Sequence, residues 1–283
     1  MDILDIRILE GKDINTIMQF TENLKSQNLE GVINAHNIYD VVLDKIESEV
    51  SNKNSYLRGI IKQKIWNLEK QIGWNSNFYS QAGQDRIIYD VFFKSKKQKG
   101  YFVDIGAYDG IVGSNSYFFE KNLGWQGILI EPSRNQFSKL EKNRNNICLN
   151  NAISNKIQSV EFIDVIKGLT QMSGLKQESY IDTYNMLNSD LNTLTECYKI
   201  ETSTFSNLIK EKNIDYLSID IEGGELDLIQ SIDFSSYQIK VLSIENNKPN
   251  EIIYHEYLTK NGFVFFDFCG QDEIYYNPKL LTY

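Results

Sequence analysis

A strand that ends in an acid and turns at once through two glycines limits this chain more than any other feature. Tyr101-Phe102-Val103-Asp104-Ile105 is apolar enough to be buried on both faces, and Gly106-Ala107-Tyr108-Asp109-Gly110 follows directly. A strand hidden on both sides belongs to a parallel sheet covered by helices. Glycines let the backbone turn tightly and come close to a ligand. The spacing is G-x-x-x-G, not the G-x-G-x-x-G that cradles a pyrophosphate. Pyrophosphates want neutral donors at a helix N-terminus. An acid beside the loop suits a cationic ligand better.

From Tyr101 onward the pattern is strand, turn, helix. Ser114 is placed to cap a helix through Leu123 and Ser133 to cap another. Between and beyond them come Gly127–Glu131, Ile147–Asn150, Ile214–Asp220 and Lys240–Glu245, all read as strands. Gly262–Phe266 and Glu273–Tyr276 fit a closing antiparallel pair around Gly270. The expected fold is therefore α/β, a doubly wound and mostly parallel sheet with a closing hairpin. Residues 164–202 are the least regular and read as an insertion.

The beginning of the chain differs. Ile38, Val41, Val42, Ile46 and Val50 recur at helical spacing, as do Leu57, Ile60, Ile61, Ile65, Leu68 and Ile72. Each set makes one apolar stripe, and Ser51–Ser55 is expected to interrupt them. The spacing predicts a helical appendage over 1–78 and a main domain over 79–283. Packing of the appendage on the main domain is favoured over a dimerisation or gating cap, and a homodimer through these helices stays open.

Charge excludes some partners. The chain has 283 residues with 29 Lys and Arg against 38 Asp and Glu. A net charge of -9 repels phosphate backbones, so nucleic acid is not an expected partner. The basic run Lys94–Lys99 reads as a solvated loop. Cys148, Cys197 and Cys269 form no C-x-x-C pair, which argues against zinc and a disulfide framework. No apolar leader or membrane-spanning run is seen, and a cytoplasmic protein is expected.

Ligands in open parallel sheets lie beyond the carboxyl ends of the strands. Asp104, Glu131, Asp220 and Glu245 all stand at such ends. Glu131 lies about 25 residues after the glycine loop, where a carboxylate can hold both ribose hydroxyls. S-adenosylmethionine, with its ammonium and sulfonium, fits the charge of Asp104 and Asp109.

Four segments resemble the FkbM family of class I methyltransferases. They are Phe102–Gly110, Gly127–Pro132, Asn151-Ala152-Ile153-Ser154 and, most telling, Ile214–Glu225 with its Asp220-Ile221-Glu222-Gly223-Gly224-Glu225. Val241–Asn247 also fits, and Tyr79-Ser80-Gln81-Ala82-Gly83-Gln84-Asp85 looks like the entry of one branch. The likeness runs over residues 79–276 and omits the N-terminal helices. It implies a Rossmann-like fold, S-adenosylmethionine as cofactor, and O-methylation of a glycan or natural product.

Residue roles follow. Gln81, Asp85, Asp104, Gly106, Tyr108, Asp109, Gly110, Glu131, Pro132, Asn151, Ala152 and Asp220 are the expected cofactor contacts. Methyl transfer needs an acceptor oxygen that loses its proton in near-attack geometry. Asp220 is the expected base, or Asp220 and Glu222 together hold a divalent cation that acidifies the hydroxyl. Glu245 and Asn246 are acceptor-binding candidates, against a plain strand-end turn. Glu225 is expected only to complement a helix dipole. His255 reads as a helix residue, so a Ser-His-Asp hydrolase is poorly supported. The rivals are a nicotinamide-dependent oxidoreductase, which the glycine spacing disfavours, and a non-enzymatic interaction module, which the acids disfavour.

Overall fold

The computed structural model describes residues 14–25, 29–49, 56–95, 99–247 and 253–281. Three helices come first: α1 (Ile14–Lys25), α2 (Leu29–Glu49) and α3 (Tyr56–Gln71). The short α4 (Gln84–Ile88) leads through a π-turn into β1 (Tyr101–Ile105), followed by α5 (Tyr117–Leu123), β2 (Gln126–Ile130), α6 (Arg134–Asn143) and β3 (Ile147–Leu149). An excursion holds β4 (Ala152–Ile153), β5 (Ser159–Lys167), β6 (Gly174–Leu175), α7 (Ile181–Ser189) and β7 (Leu194–Ser203). The chain then returns through α8 (Phe205–Leu208), β8 (Asn213–Ile219), α9 (Glu225–Ser231), β9 (Gln238–Glu245), α10 (Ile253–Lys260), β10 (Val264–Cys269) and β11 (Asp272–Tyr276).

The main sheet has the order β10-β11-β9-β8-β1-β2-β3. Its strands are parallel from β3 to β9, and β11 and β10 close it antiparallel. This is the Rossmann-like class I methyltransferase architecture expected above. Side chains alternate between two cores. Val103, Ile128, Leu217 and Leu242 face one side with Leu228 of α9 and Leu258 of α10. Phe102, Leu129, Tyr216 and Val241 face the other with Phe119 of α5 and Leu140 of α6. A period of two with both faces apolar is what a doubly covered sheet requires.

Residues 164–202 are more ordered than expected. The end of β5, all of β6 and α7, and β7 as far as Thr202 lie there, and the strands belong to a second sheet of order β4-β7-β5-β6. Its β7 strand carries Cys197, Lys199 and Glu201 on an exposed face, so its sequence lacks the continuous apolar run of a buried strand. Ser114 does not cap a full helix. Its hydroxyl accepts from the N–H of Ser116 and Tyr117, and α5 starts two residues later than expected, at Tyr117. Ser133 caps α6 as read, accepting from the Gln136 N–H.

Ile38, Val42, Ile61 and Leu68 form a core between the N-terminal helices, while Val41 points outward. The side chains of Ile46 and Val50, the Ser51–Ser55 break, and Lys96, Lys97 and Gln98 lie outside the described residues. Helix α3 also lies on β10. Buried Asp267 pairs with Arg58 and, at 2.6 Å, with Lys62. Gly59 sits so close to the hairpin turn that a Cβ there would meet the Gly270 carbonyl at 2.6 Å. The Trp66 indole donates to the Ser80 carbonyl at 3.1 Å.

Candidate active site

The carboxyl ends of β1, β2, β8 and β9 open into one cavity of about 380 Å³. Two loops cross at its floor. The Gly106 N–H donates to Ile130 O at 2.9 Å and the Asp220 N–H to Ile105 O at 2.9 Å. Gly106 has φ +88°, and a Cβ there would lie 1.6 Å from the Asp220 carbonyl oxygen. Only glycine allows the loop after β1 to touch the end of β8 this closely. Tyr108 and Glu222, which also line the cavity, hold φ of 51° and 56°. Side-chain-bearing residues in this region are strained, and such strain gathers at ligand sites.

Five carboxylates stand along this edge of the sheet. Glu131, Asp104, Asp220 and Glu245 end β2, β1, β8 and β9, as the sequence implied. Asp272 is the fifth. It opens β11, and because that strand is antiparallel its start lies opposite Glu245. Neighbouring strands are about 4.8 Å apart, so the row runs about 19 Å from Glu131 to Asp272. Glu222, from the loop after β8, joins it.

Each acid has its own surroundings. Glu131 is 6% exposed and accepts from the N–H of Tyr108 and of Ser133, both at 2.8 Å. Burial pushes its carboxyl up to about 8 despite those bonds. Asp104 is 4% exposed and accepts the Ser116 hydroxyl at 2.5 Å. Burial raises it too, against the opposing pull of Ser116 and of Arg144. Arg144 is buried on Glu120 at 2.7 Å and donates to Gly110 O and Ser116 Oγ, so it holds the loop that holds Asp104.

Asp220, Glu222 and Glu245 converge, and one oxygen of each lies within 4.8 Å of the others. Burial, then repulsion from neighbouring carboxylates, drives Asp220 and Glu245 well above the carboxylate range, and burial, then the charge of Glu225, lifts Glu222 to about 7. A hydrogen bond with Glu245 offsets a part of the rise at Asp220. Asp272 rises to about 6 through burial, eased by Gln84 and Asn115.

The cavity walls differ from end to end. Near β2 and β4 they are Ile130, Pro132, Ala152, Ile153, Phe162 and Leu175, an apolar slot. Near β9 and β11 they are Glu245, Asn247, Gln271 and Asp272, joined by Gln63 of α3 and Gln81. The excursion forms a roof with Leu169, Gln171 and Met172. Two bonds tie it down, Tyr108 Oη to Thr170 Oγ1 at 2.6 Å and Gln177 Nε2 to Gly223 O at 3.0 Å. A second, open cleft borders Pro132 and Asn151 and carries Arg134 and Lys199.

Gln81, Asp104, Gly106, Tyr108, Glu131, Pro132, Asn151, Ala152, Asp220, Glu222 and Glu245 thus line one cavity. Four other expected residues do not. Asp85 is buried beneath the Tyr79–Ser80 turn, accepting from both N–H groups and from the Ser80 hydroxyl. Asp109 Oδ1 accepts from the N–H of Ile111 and Val112 and shapes the loop. Gly110 turns the chain behind it, at φ +83°. Asn246 is buried and donates to Glu273. Glu225 accepts from the Gly223 N–H at 2.7 Å, holding the turn rather than only facing the dipole. Sequence reasoning missed Gln63, Asn115, Asn247, Gln271 and Asp272. Asp272 was within reach, since an antiparallel closing strand must begin at the carboxyl edge. Gln63 carried no signal, because nothing in a stripe tells which neighbour its flank will touch.

The family model of the methyltransferase FkbM domain matches residues 104–265. No curated protein matches the chain. Similar solved structures include the methyltransferase FkbM from Methylobacillus flagellatus KT, at 12% identity and a TM-score of 0.41. That match covers 84% of this chain, which spans 59% of the length of the other. The N-terminal domain of human METTL16 in complex with SAH matches at 11% identity and a TM-score of 0.34, over 67% of this chain and 66% of that one.

Proposed function

Because this chain belongs to the FkbM methyltransferase family, we propose that it transfers a methyl group from S-adenosylmethionine to a hydroxyl of a sugar, glycan or other natural product. The observation that carries this reading is the row of acids at one sheet edge, graded from an apolar slot to a polar end. A planar base fits the slot near Ile153 and Phe162. Glu131 retains lone pairs for ribose hydroxyls, and Asp104 faces a cationic tail across Gly106. S-adenosylmethionine supplies the electrophilic methyl group.

The chain's own residues do the rest. Burial and the neighbouring carboxylates hold Asp220 and Glu245 well above the ordinary carboxylate range, the direction that makes an ionised carboxylate a stronger base. Asp220 accepts the acceptor's proton while Glu245 keeps the pair from carrying two charges. Glu222, held at positive φ, closes the third side. The roof from β5 to β7 keeps water away from the reacting oxygen.

The test is label transfer from S-adenosylmethionine to a panel of glycans by the full chain, with calorimetry on the cofactor. Binding of NAD in place of S-adenosylmethionine overturns the reading. The convergence of Asp220, Glu222 and Glu245 favours one second reading, a divalent cation held by these hard oxygen ligands. In that case EDTA silences the enzyme and added divalent ions restore it.

A further inference from the structure

The cavity contains more carboxyl groups than the cofactor can use. S-adenosylmethionine offers an ammonium and a sulfonium, and Asp104 and Glu131 lie on its side of the cavity. Asp220, Glu222, Glu245 and Asp272 remain at the other end. One base needs one of them. Among the described residues, no lysine, arginine or histidine lines this cavity. A second cleft, which carries Arg134 and Lys199, borders the opposite, β2 side. An anionic acceptor placed beside Asp220 would therefore meet carboxyl groups and no cationic side chain of this lining.

A second observation points to a donor-bearing ligand. Asn115 is 8% exposed, lines the cavity and gives its amide N–H to Ser218 at 3.1 Å. Its Oδ1 is buried with no hydrogen-bond partner. A buried acceptor left unpaired is costly, so it awaits a donor from the ligand. Around it the walls are amides, with Gln271 bonded to Asn247 across the rim at 2.9 Å. Amides that both donate and accept suit a ring with several hydroxyls.

Resting on the methyltransferase reading, we propose that the acceptor is an amino-bearing polyhydroxyl compound of the aminosugar class, bound at the β9–β11 end. Its ammonium lies among Glu245, Asp272 and the Asn115 Oδ1, and its hydroxyls meet Gln271 and Gln63. The reacting hydroxyl gives its proton to Asp220 as its oxygen takes the methyl group, and S-adenosylhomocysteine leaves.

The experiment uses the full chain, S-adenosylmethionine and three matched hexosamine-series glycosides: the free 2-amino compound, its N-acetyl form and the hexuronate. Released S-adenosylhomocysteine is read as KM and kcat, and cofactor binding is measured separately by calorimetry. The amino compound is expected to have a KM at least about tenfold below the N-acetyl form, as a charge-assisted contact would give. The hexuronate is expected not to turn over. Glu245→Gln and Asp272→Asn should each narrow the gap between amino and N-acetyl forms while still binding cofactor. Equal KM values, preference for the hexuronate, or no methylation of the series by a protein that binds S-adenosylmethionine overturns the proposal alone. Preference for the hexuronate that EDTA abolishes assigns the surplus carboxylates to a metal instead. Failure to bind S-adenosylmethionine overturns the parent reading as well.

Discussion

Glu131 holds two backbone N–H groups, and in the proposed reading it also binds the cofactor. Each of its oxygens accepts one N–H, from Tyr108 and Ser133. Glu131→Gln keeps the shape but turns one acceptor into a donor facing an N–H. Affinity for S-adenosylmethionine should fall about tenfold to a hundredfold, the worth of a charge-assisted bond. Calorimetry with a melting curve as control measures it, and unchanged affinity removes Glu131 from the cofactor site. In the proposed reaction Asp220 takes part in the chemical step. Asp220→Asn should hold cofactor affinity within a few-fold and cut kcat about a hundredfold to ten-thousandfold. Turnover like the wild type on an identified acceptor would make Asp220 a structural strand-end residue.

At the scale of elements, α3 is the piece whose role the sequence conceals. Its apolar stripe says that it packs, and Ile61 and Leu68 do so. Its opposite flank ties down Asp267 through Arg58 and Lys62 and brings Gln63 to the cavity. Removing one side of a buried ion pair typically costs about 3–5 kcal/mol. Deleting residues 1–55 should therefore leave a folded protein that binds cofactor, whereas deleting 1–75 should lower the melting temperature sharply or give insoluble protein. Two truncations and a melting curve decide it, and equal stability would show that Asp267 finds water instead. The contrast explains what was legible. Strands β1, β2, β8 and β9 announce themselves because burial on both faces demands unbroken apolar runs, and their terminal acids follow by counting. The β5–β7 pair does not, since one face is wet and its alternation is blurred by Glu196 and Cys197. Asp85 and Asp109 looked like ligand groups because a carboxylate that closes a turn and one that meets a cofactor look alike in a sequence.

At the scale of the whole molecule, the crowding of carboxylates sets how stability depends on pH. Glu131 moves from 4.5 to about 8 on folding, and Glu222 from 4.5 to about 7, with burial as the main cause in both. Between those values the folded chain binds more protons than the unfolded one. Stability then falls as pH rises, because its slope follows protons bound by the unfolded state minus those bound by the folded. The contribution is fully present below about 4.5 and lost as pH climbs through 7 and 8. Glu120, paired with Arg144, is lowered and works the other way, with its contribution lost only as pH falls below the ordinary carboxylate range. The ligand-free protein should therefore melt at a lower temperature at pH 8 than at pH 6. A cationic ligand favours the ionised acids, so S-adenosylmethionine should raise the melting temperature more at pH 8 than at pH 6. Binding should also release protons, seen as a calorimetric heat that changes between buffers of different ionisation enthalpy. Glu131→Gln should flatten the pH dependence of the free protein above pH 6. A free protein that grows more stable from pH 6 to 8 would mean that the acids are already ionised and paired, and that the edge of the sheet holds a cation before any cofactor arrives.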